Sequence, residues 1–266
     1  MTRNALPNAM KLAWSDDDAV VGLWMSVPDP ATAEAMGALG ADYVNIDMQH
    51  GMIGYDQAVD LMRALRSADT TVTVRVPWNE PGIIGKVLDA GALGVIIPMV
   101  NSPAEAQAAV HACRYAPAGG RSYGPVRAGA IYGADYFDRA NDEVACIPMI
   151  ETEAAVADID AILATPGIDA IYVGPADLSV SLGLPPGNND GEAAFDDALT
   201  TIVDACRRHG VIAGIHATPQ LTPKRVEQGF RMVTATSDLL ALRSGAVDAL
   251  RTARGGGAGG ADDAMY

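Results

Sequence analysis

With 266 residues, 49% of them hydrophobic and 19% charged, the chain has a globular composition and can bury a large core without disulfide or metal staples. Asp and Glu outnumber Lys and Arg by 33 to 18, and the net charge of −15 argues against nucleic acid and against anionic lipid as partners. Cys113, Cys146 and Cys206 are few, odd in number and far apart, which fits neither a disulfide framework nor a zinc cluster and makes a reducing cytoplasm the expected compartment.

In chain order, short β-rich runs alternate with helical stretches. The runs expected to be strands are Val20–Ser26, Asp42–Asp47, Thr71–Val76, Leu93–Met99, Val144–Ile150, Ile168–Val173, Val211–His216 and Phe230–Ala235. The helices expected after them are Ala31–Leu39, Tyr55–Ser67, Ile83–Ala90, Pro103–Tyr115, Glu153–Leu163, Ala193–His209, Pro219–Gln228 and Asp238–Thr252. Gly40, Gly91, Gly167, Gly210 and Gly229 stand where those helices would end. The Val-Ile-Ile run at 95–97 suits a parallel strand buried on both faces. Eight such units predict an α/β fold, a single closed (β/α)₈ TIM barrel over residues 1–254. An open doubly wound sheet is the alternative, but the first strand leads into Ser26-Val27-Pro28 and no Gly-rich phosphate turn follows. Residues 116–142 form a long connection with a short helical piece near Asp135–Ala140, and a connection of that length reads as functional or disordered. Residues 255–266 read as a flexible, Gly-rich acidic tail. No apolar run reaches the roughly 20 residues of a membrane span.

Barrel enzymes build their sites where strands end at the C-terminal face. Those ends offer Asp47, Gln49 and His50, then Arg75, Glu151, Asp177 and His216. Glu151 and Asp177, on successive strands, can share a hard divalent ion, although either alone could simply be a first-turn helix acid. His50 can shuttle protons near neutral pH or can be structural, and His216 is undecided. Arg75 can clamp a carboxylate or an enolate oxygen, or can form a salt bridge with Asp47 or Glu151. The three lysines, Lys11, Lys86 and Lys224, stand at no strand end, so a Schiff-base mechanism lacks its amine and enolate stabilisation would fall to a metal.

Several motifs together resemble the HpcH/HpaI family of class II pyruvate-dependent hydroxy-ketoacid aldolases. They are Gly22-Leu23-Trp24, Asp47-Met48-Gln49-His50-Gly51, Arg75-Val76-Pro77-Trp78-Asn79, Pro117-Ala118-Gly119-Gly120-Arg121, Ile150-Glu151-Thr152 and Gly174-Pro175-Ala176-Asp177-Leu178-Ser179. The resemblance implies a barrel of the phosphoenolpyruvate/pyruvate type. It also implies reversible cleavage of 4-hydroxy-2-oxoacids to pyruvate, or a related 2-oxoacid, and an aldehyde. Glu151 and Asp177 would hold Mg²⁺, Mn²⁺ or Co²⁺, which would chelate the carboxylate and keto oxygens of pyruvate. Arg75 would stabilise the enolate, and His50 paired with Asp89 would act as acid–base catalyst through water. Gln49 and the backbone of Gly174, Pro175 and Ala176 would line the substrate pocket. A last helix swapped between subunits and a homo-hexamer, a trimer of dimers, would follow as well. Gln49 and Met149 depart from residues some members carry, which bears on aldehyde preference. A CoA-thioester lyase of the citrate lyase β type and a non-catalytic oxoacid-binding protein are the rival readings, the first disfavoured by the acidic charge.

Overall fold

The protein is described by a computed structural model over residues 5–255. The elements run α1 (Ala9–Ser15), β1 (Val20–Met25), α2 (Pro30–Gly37), β2 (Tyr43–Asp47), α3 (Tyr55–Ala64), β3 (Thr71–Arg75), α4 (Pro81–Asp89), β4 (Gly94–Ile97), α5 (Pro103–Cys113), α6 (Val126–Tyr132), α7 (Tyr136–Glu143), β5 (Ala145–Ile150), α8 (Glu153–Ala157), α9 (Ile159–Leu163), β6 (Ala170–Val173), α10 (Pro175–Ser181), α11 (Ala193–His209), β7 (Ile212–His216), α12 (Thr222–Gln228), β8 (Met232–Ser237) and α13 (Asp238–Ala253). Neighbouring strands pair in parallel, β1 also pairs with β8, and the sheet closes in the order β1 to β8. The expected (β/α)₈ barrel is therefore present, and the open sheet is not. The tail beyond Gly255 lies outside the described residues.

Local chemistry explains where the helices start and stop. Asp29, Ser102, Thr152 and Ser237 accept backbone N–H groups that α2, α5, α8 and α13 would otherwise leave orphaned. α11 and α12 end at Gly210 and Gly229, whose φ of +66° and +109° would strain any residue with a Cβ.

Alternation along the strands sorts side chains into two sets. Val44, Ile46, Val72, Val74, Ile171 and Val173 face outward and pack under the helices. Trp24, Tyr43, Ile96, Ile147, Met149, Tyr172 and Met232 fill the barrel. Each large side chain fully buried in this way contributes roughly 1.5–3 kcal/mol. Large and small residues interdigitate inside: a Cβ on Gly22 would fall 2.3 Å from the Tyr43 ring.

Helix α1 was not anticipated. Asn8 caps it, and Met10 and Trp14, four residues apart, bury into the barrel interior. The Asn8 amide donates to the carbonyls of Leu93 and Glu143 at 2.9 and 2.7 Å, and Lys11 pairs with Asp169 at 2.6 Å. Those partners precede β4, β5 and β6, so α1 closes the N-terminal mouth and leaves the C-terminal mouth open. The connection between α5 and β5 is also more ordered than expected. It folds as α6 and α7 around Tyr115, Tyr132 and Tyr136, with the Arg121 guanidinium 4.4 Å from the Tyr115 ring. No helix among the described residues is long and apolar enough to cross a membrane, and the three cysteines are buried free thiols.

Candidate active site

The inward positions of the strands continue upward into the open mouth. Two residues past Tyr43 and Asn45 stands Asp47; past Thr71 and Thr73 stands Arg75; past Ile147 and Met149 stands Glu151; past Tyr172 stands Gly174; and past Gly214 stands His216. Period-two geometry thus brings residues from five strands into one layer.

Arg75 meets Asp47 through two hydrogen bonds, Nε to Oδ1 at 2.8 Å and Nη2 to Oδ2 at 2.6 Å, with both side chains buried. Burial pushes the Asp47 carboxyl up, but the Arg75 fork outweighs it and holds the carboxyl below its usual range. Asp47 Oδ1 also accepts the backbone N–H groups of Gln49 and His50 at 3.0 and 3.3 Å, which folds the chain sharply after β2. Gly51 permits that fold, since a Cβ there would lie 2.2 Å from the Asp47 carbonyl oxygen. The Arg75 guanidinium lies 4.8 Å from the Trp24 ring and still borders the cavity. The two readings of Arg75 are therefore compatible: it forms the salt bridge with Asp47 and also faces the cavity.

Glu151 is only 1% exposed. Its Oε1 accepts the Met99 N–H at 2.7 Å, presented by a backbone φ of +55° that a residue with a side chain rarely adopts. Burial pushes the Glu151 carboxyl up to about 7, with the Asp177 carboxylate adding to the rise and the Met99 N–H and Arg75 opposing it. Asp177 stands exposed in the first turn of α10 and makes no ion pair among the described residues. Gly174 separates the two acids: a Cβ there would sit 2.6 Å from Glu151 Oε2. Gly174→Ala is accordingly expected to lower kcat/KM about 100-fold by displacing that oxygen. The barrel should persist, a combination that steady-state kinetics and circular dichroism would report together.

A cavity of about 260 Å³ lies over this layer, lined by Trp24, His50, Arg75, Met149, Tyr172, Gly174, Pro175, Ala176, Asp177 and His216. It suits a small molecule rather than a nucleotide. His50, Arg75, Asp177 and the 174–176 segment meet there, as the sequence suggests, and Glu151 lies directly behind Gly174. Gln49 and Asp89 are not among the lining residues. The Gln49 Oε1 is buried without a hydrogen-bond partner, and the Asp89 carboxylate accepts Arg121 Nη2 at 2.7 Å. Tyr172 was overlooked, and Trp24 and Met149 were noted only within motifs, although strand parity marks all three as inward.

The comparisons with known proteins agree with this geometry. The model of the HpcH/HpaI aldolase/citrate lyase family matches residues 20–244, and the chain belongs to that family. A hydroxypyruvate/pyruvate aldolase of Rhizorhabdus wittichii is 36% identical over 93% of this chain and 99% of its own. A 5-keto-4-deoxy-D-glucarate aldolase of Escherichia coli O157:H7 is 34% identical over 92% of this chain and 96% of its own. The crystal structure of an HpcH/HpaI aldolase/citrate lyase family protein from Burkholderia cenocepacia superposes with a TM-score of 0.87 at 32% identity, covering 93% of this chain and 99% of that one. The protein is a carbon–carbon lyase of the aldolase kind.

Proposed function

We propose that the protein reversibly cleaves 4-hydroxy-2-oxoacids to pyruvate, or a close 2-oxoacid, and an aldehyde, with a divalent cation held by Glu151 and Asp177. One observation carries this reading: Asp177 lines a small cavity beside Arg75, Glu151 lies directly behind Gly174 of the same lining and feels the Asp177 charge, and Glu151 Oε2 has no hydrogen-bond donor among the described residues. The donor set fits a hard ion such as Mg²⁺ or Mn²⁺. Both ligands are carboxylates, and no group of three or more metal-binding side chains exists among the described residues, which leaves coordination positions for water and substrate oxygens. A cation bound there supplies a Lewis acid to the substrate keto oxygen.

The chain's own groups account for the remaining chemistry. In cleavage, the C4 hydroxyl gives up its proton, the C3–C4 bond breaks, and its electron pair moves through C2 to the keto oxygen as the aldehyde leaves. Arg75, fixed by Asp47, donates to the oxygen that gains charge. His50 borders the cavity and is exposed, so it exchanges protons with the C4 oxygen through water. Protonation of C3 then gives pyruvate. The lysines take no part: Lys11 is on α1, Lys86 lies 4.7 Å over the Tyr55 ring, and Lys224 pairs with Asp190. Arg75 is the one cation among the cavity-lining Lys and Arg residues, and it is already paired, which disfavours a CoA thioester. The test is proton NMR of pyruvate in D₂O with enzyme. The methyl signal should disappear when Mg²⁺ or Mn²⁺ is added and persist with chelator; persistence in both would refute the reading.

Assembly follows from α13, and a homo-hexamer built from dimers with exchanged α13 helices is our proposal for it. Asp238 accepts from the N–H groups of Ser26 and Val27 and anchors the start of the helix, yet it is the helix's only buried residue. Leu239, Leu242, Val247 and Leu250 form an exposed apolar stripe. Leu242→Glu with Leu250→Glu is expected to break the assembly into single chains by light scattering, and an unchanged mass would remove α13 from the interface.

A further inference from the structure

Beside Arg75 the cavity is walled by the Trp24 and Tyr172 rings and by His216. Trp24 stacks on Tyr172 with ring centres 5.5 Å apart and meets His216 edge-on at 5.2 Å. His216, at the end of β7, borders the cavity beside these rings. A run of hydroxyls lies beneath it: Tyr43 to Thr234 at 2.7 Å, Thr234 to Tyr172 at 2.5 Å, and Tyr172 to His216 Nδ1 at 3.4 Å. Each hydroxyl has one proton to give. Running Tyr43, Thr234, Tyr172, Nδ1 gives each hydroxyl proton an acceptor and ends the run on the imidazole nitrogen. In that order Nδ1 accepts from Tyr172 and the ring proton sits on Nε2.

Resting on the aldolase reading above, we infer that His216 sets substrate choice, its Nε2–H donating to a substrate hydroxyl that plain pyruvate and alkyl aldehydes lack. Burial, and secondarily the Arg75 charge, push the imidazole down to about 4 against a smaller opposing effect of Asp47, so it stays neutral in the working range and serves as a donor rather than a cation. A donor placed beside those rings is left unsatisfied by a substrate without the matching oxygen, and such sites discriminate strongly. Two sources of that oxygen exist, the 2-oxoacid half and the aldehyde half. Tyr172 is a positioning residue, acting through the tautomer of His216.

The experiment has two arms in the metal-supplemented enzyme. One compares kcat/KM for hydroxypyruvate with that for pyruvate, aldehyde constant. The other compares glycolaldehyde with acetaldehyde, pyruvate constant. In His216→Leu, the ratio of hydroxylated to plain substrate should fall at least fivefold on one arm, and that arm identifies the half carrying the hydroxyl. A smaller change on both arms overturns the assignment, whatever happens to absolute rates. His216→Phe serves if the leucine variant does not fold. ¹⁵N NMR of the wild type provides a reading without any variant: the Nε2–H form should dominate, shift with hydroxylated ligands, and give way to mixed tautomers in Tyr172→Phe. A dominant Nδ1–H form contradicts it. Failure of the aldolase reading would appear separately, as no exchange of the pyruvate methyl in the wild type.

Discussion

Glu151→Gln is expected to abolish turnover and yet to raise the melting temperature of the metal-free protein at pH 8. The carboxyl is buried and pushed up to about 7, whereas an unfolded glutamate titrates near its model value of 4.5. The folded state therefore pays to ionise it. That cost is absent below about pH 4.5, grows as pH rises toward 7, and is complete above 7. The shift corresponds to roughly 3 kcal/mol. Glutamine keeps an acceptor for the Met99 N–H and removes the charge, so the gain should be roughly 5–10 °C at pH 8 and should shrink toward pH 5. Saturating Mn²⁺ should reverse the order, since a cation stabilises only the chain that binds it. Calorimetry at pH 5 and 8, with and without Mn²⁺, checks the three stability points. A wild type already the more stable without metal at pH 8 would show that Glu151 is not held against its solvation preference.

Arg75→Met is expected to cost about 3–5 kcal/mol of stability as well as activity, because it leaves Asp47, 1% exposed, as an uncompensated buried charge. Adding Asp47→Asn should restore most of the stability and none of the turnover. That split separates the two roles of Arg75: its structural role is shared with Asp47, while its contact with the substrate is not. Arg75→Lys keeps the charge but loses the fork, and should fall between the two in stability. If Arg75→Met alone kept wild-type stability under urea denaturation, the ion pair would not hold the β2–β3 mouth together.

The fold was legible because nearly every strand advertises itself as an apolar run and helices such as α11 and α12 stop at a glycine. Val211–His216 against the observed Ile212–His216, and Ala193–His209 found at its expected bounds, show how little tertiary override the outer units carry. The misses share a cause. No element was expected before Val20, yet Asn8 caps α1, whose seven residues gain their stability from the barrel interior rather than from propensity. Glu153–Leu163 reads as one helix but divides at Asp158 into α8 and α9. At the site, Glu151, Asp177, Arg75 and His50 were legible from their places at strand ends. The partner of Asp89 was not, because Arg121 reaches it from a loop 32 residues away in sequence. His216 stayed undecided since its role depends on Trp24, Tyr172 and Thr234, three strands that only barrel closure brings together.

The central claim is that Glu151 and Asp177 jointly bind one cation at the cavity wall. Electron paramagnetic resonance of free Mn²⁺ during titration tests it without any substrate. The wild type should remove one Mn²⁺ per chain at micromolar concentrations, and Glu151→Gln and Asp177→Asn should each remove essentially none. Equal uptake by the wild type and both variants would contradict the account.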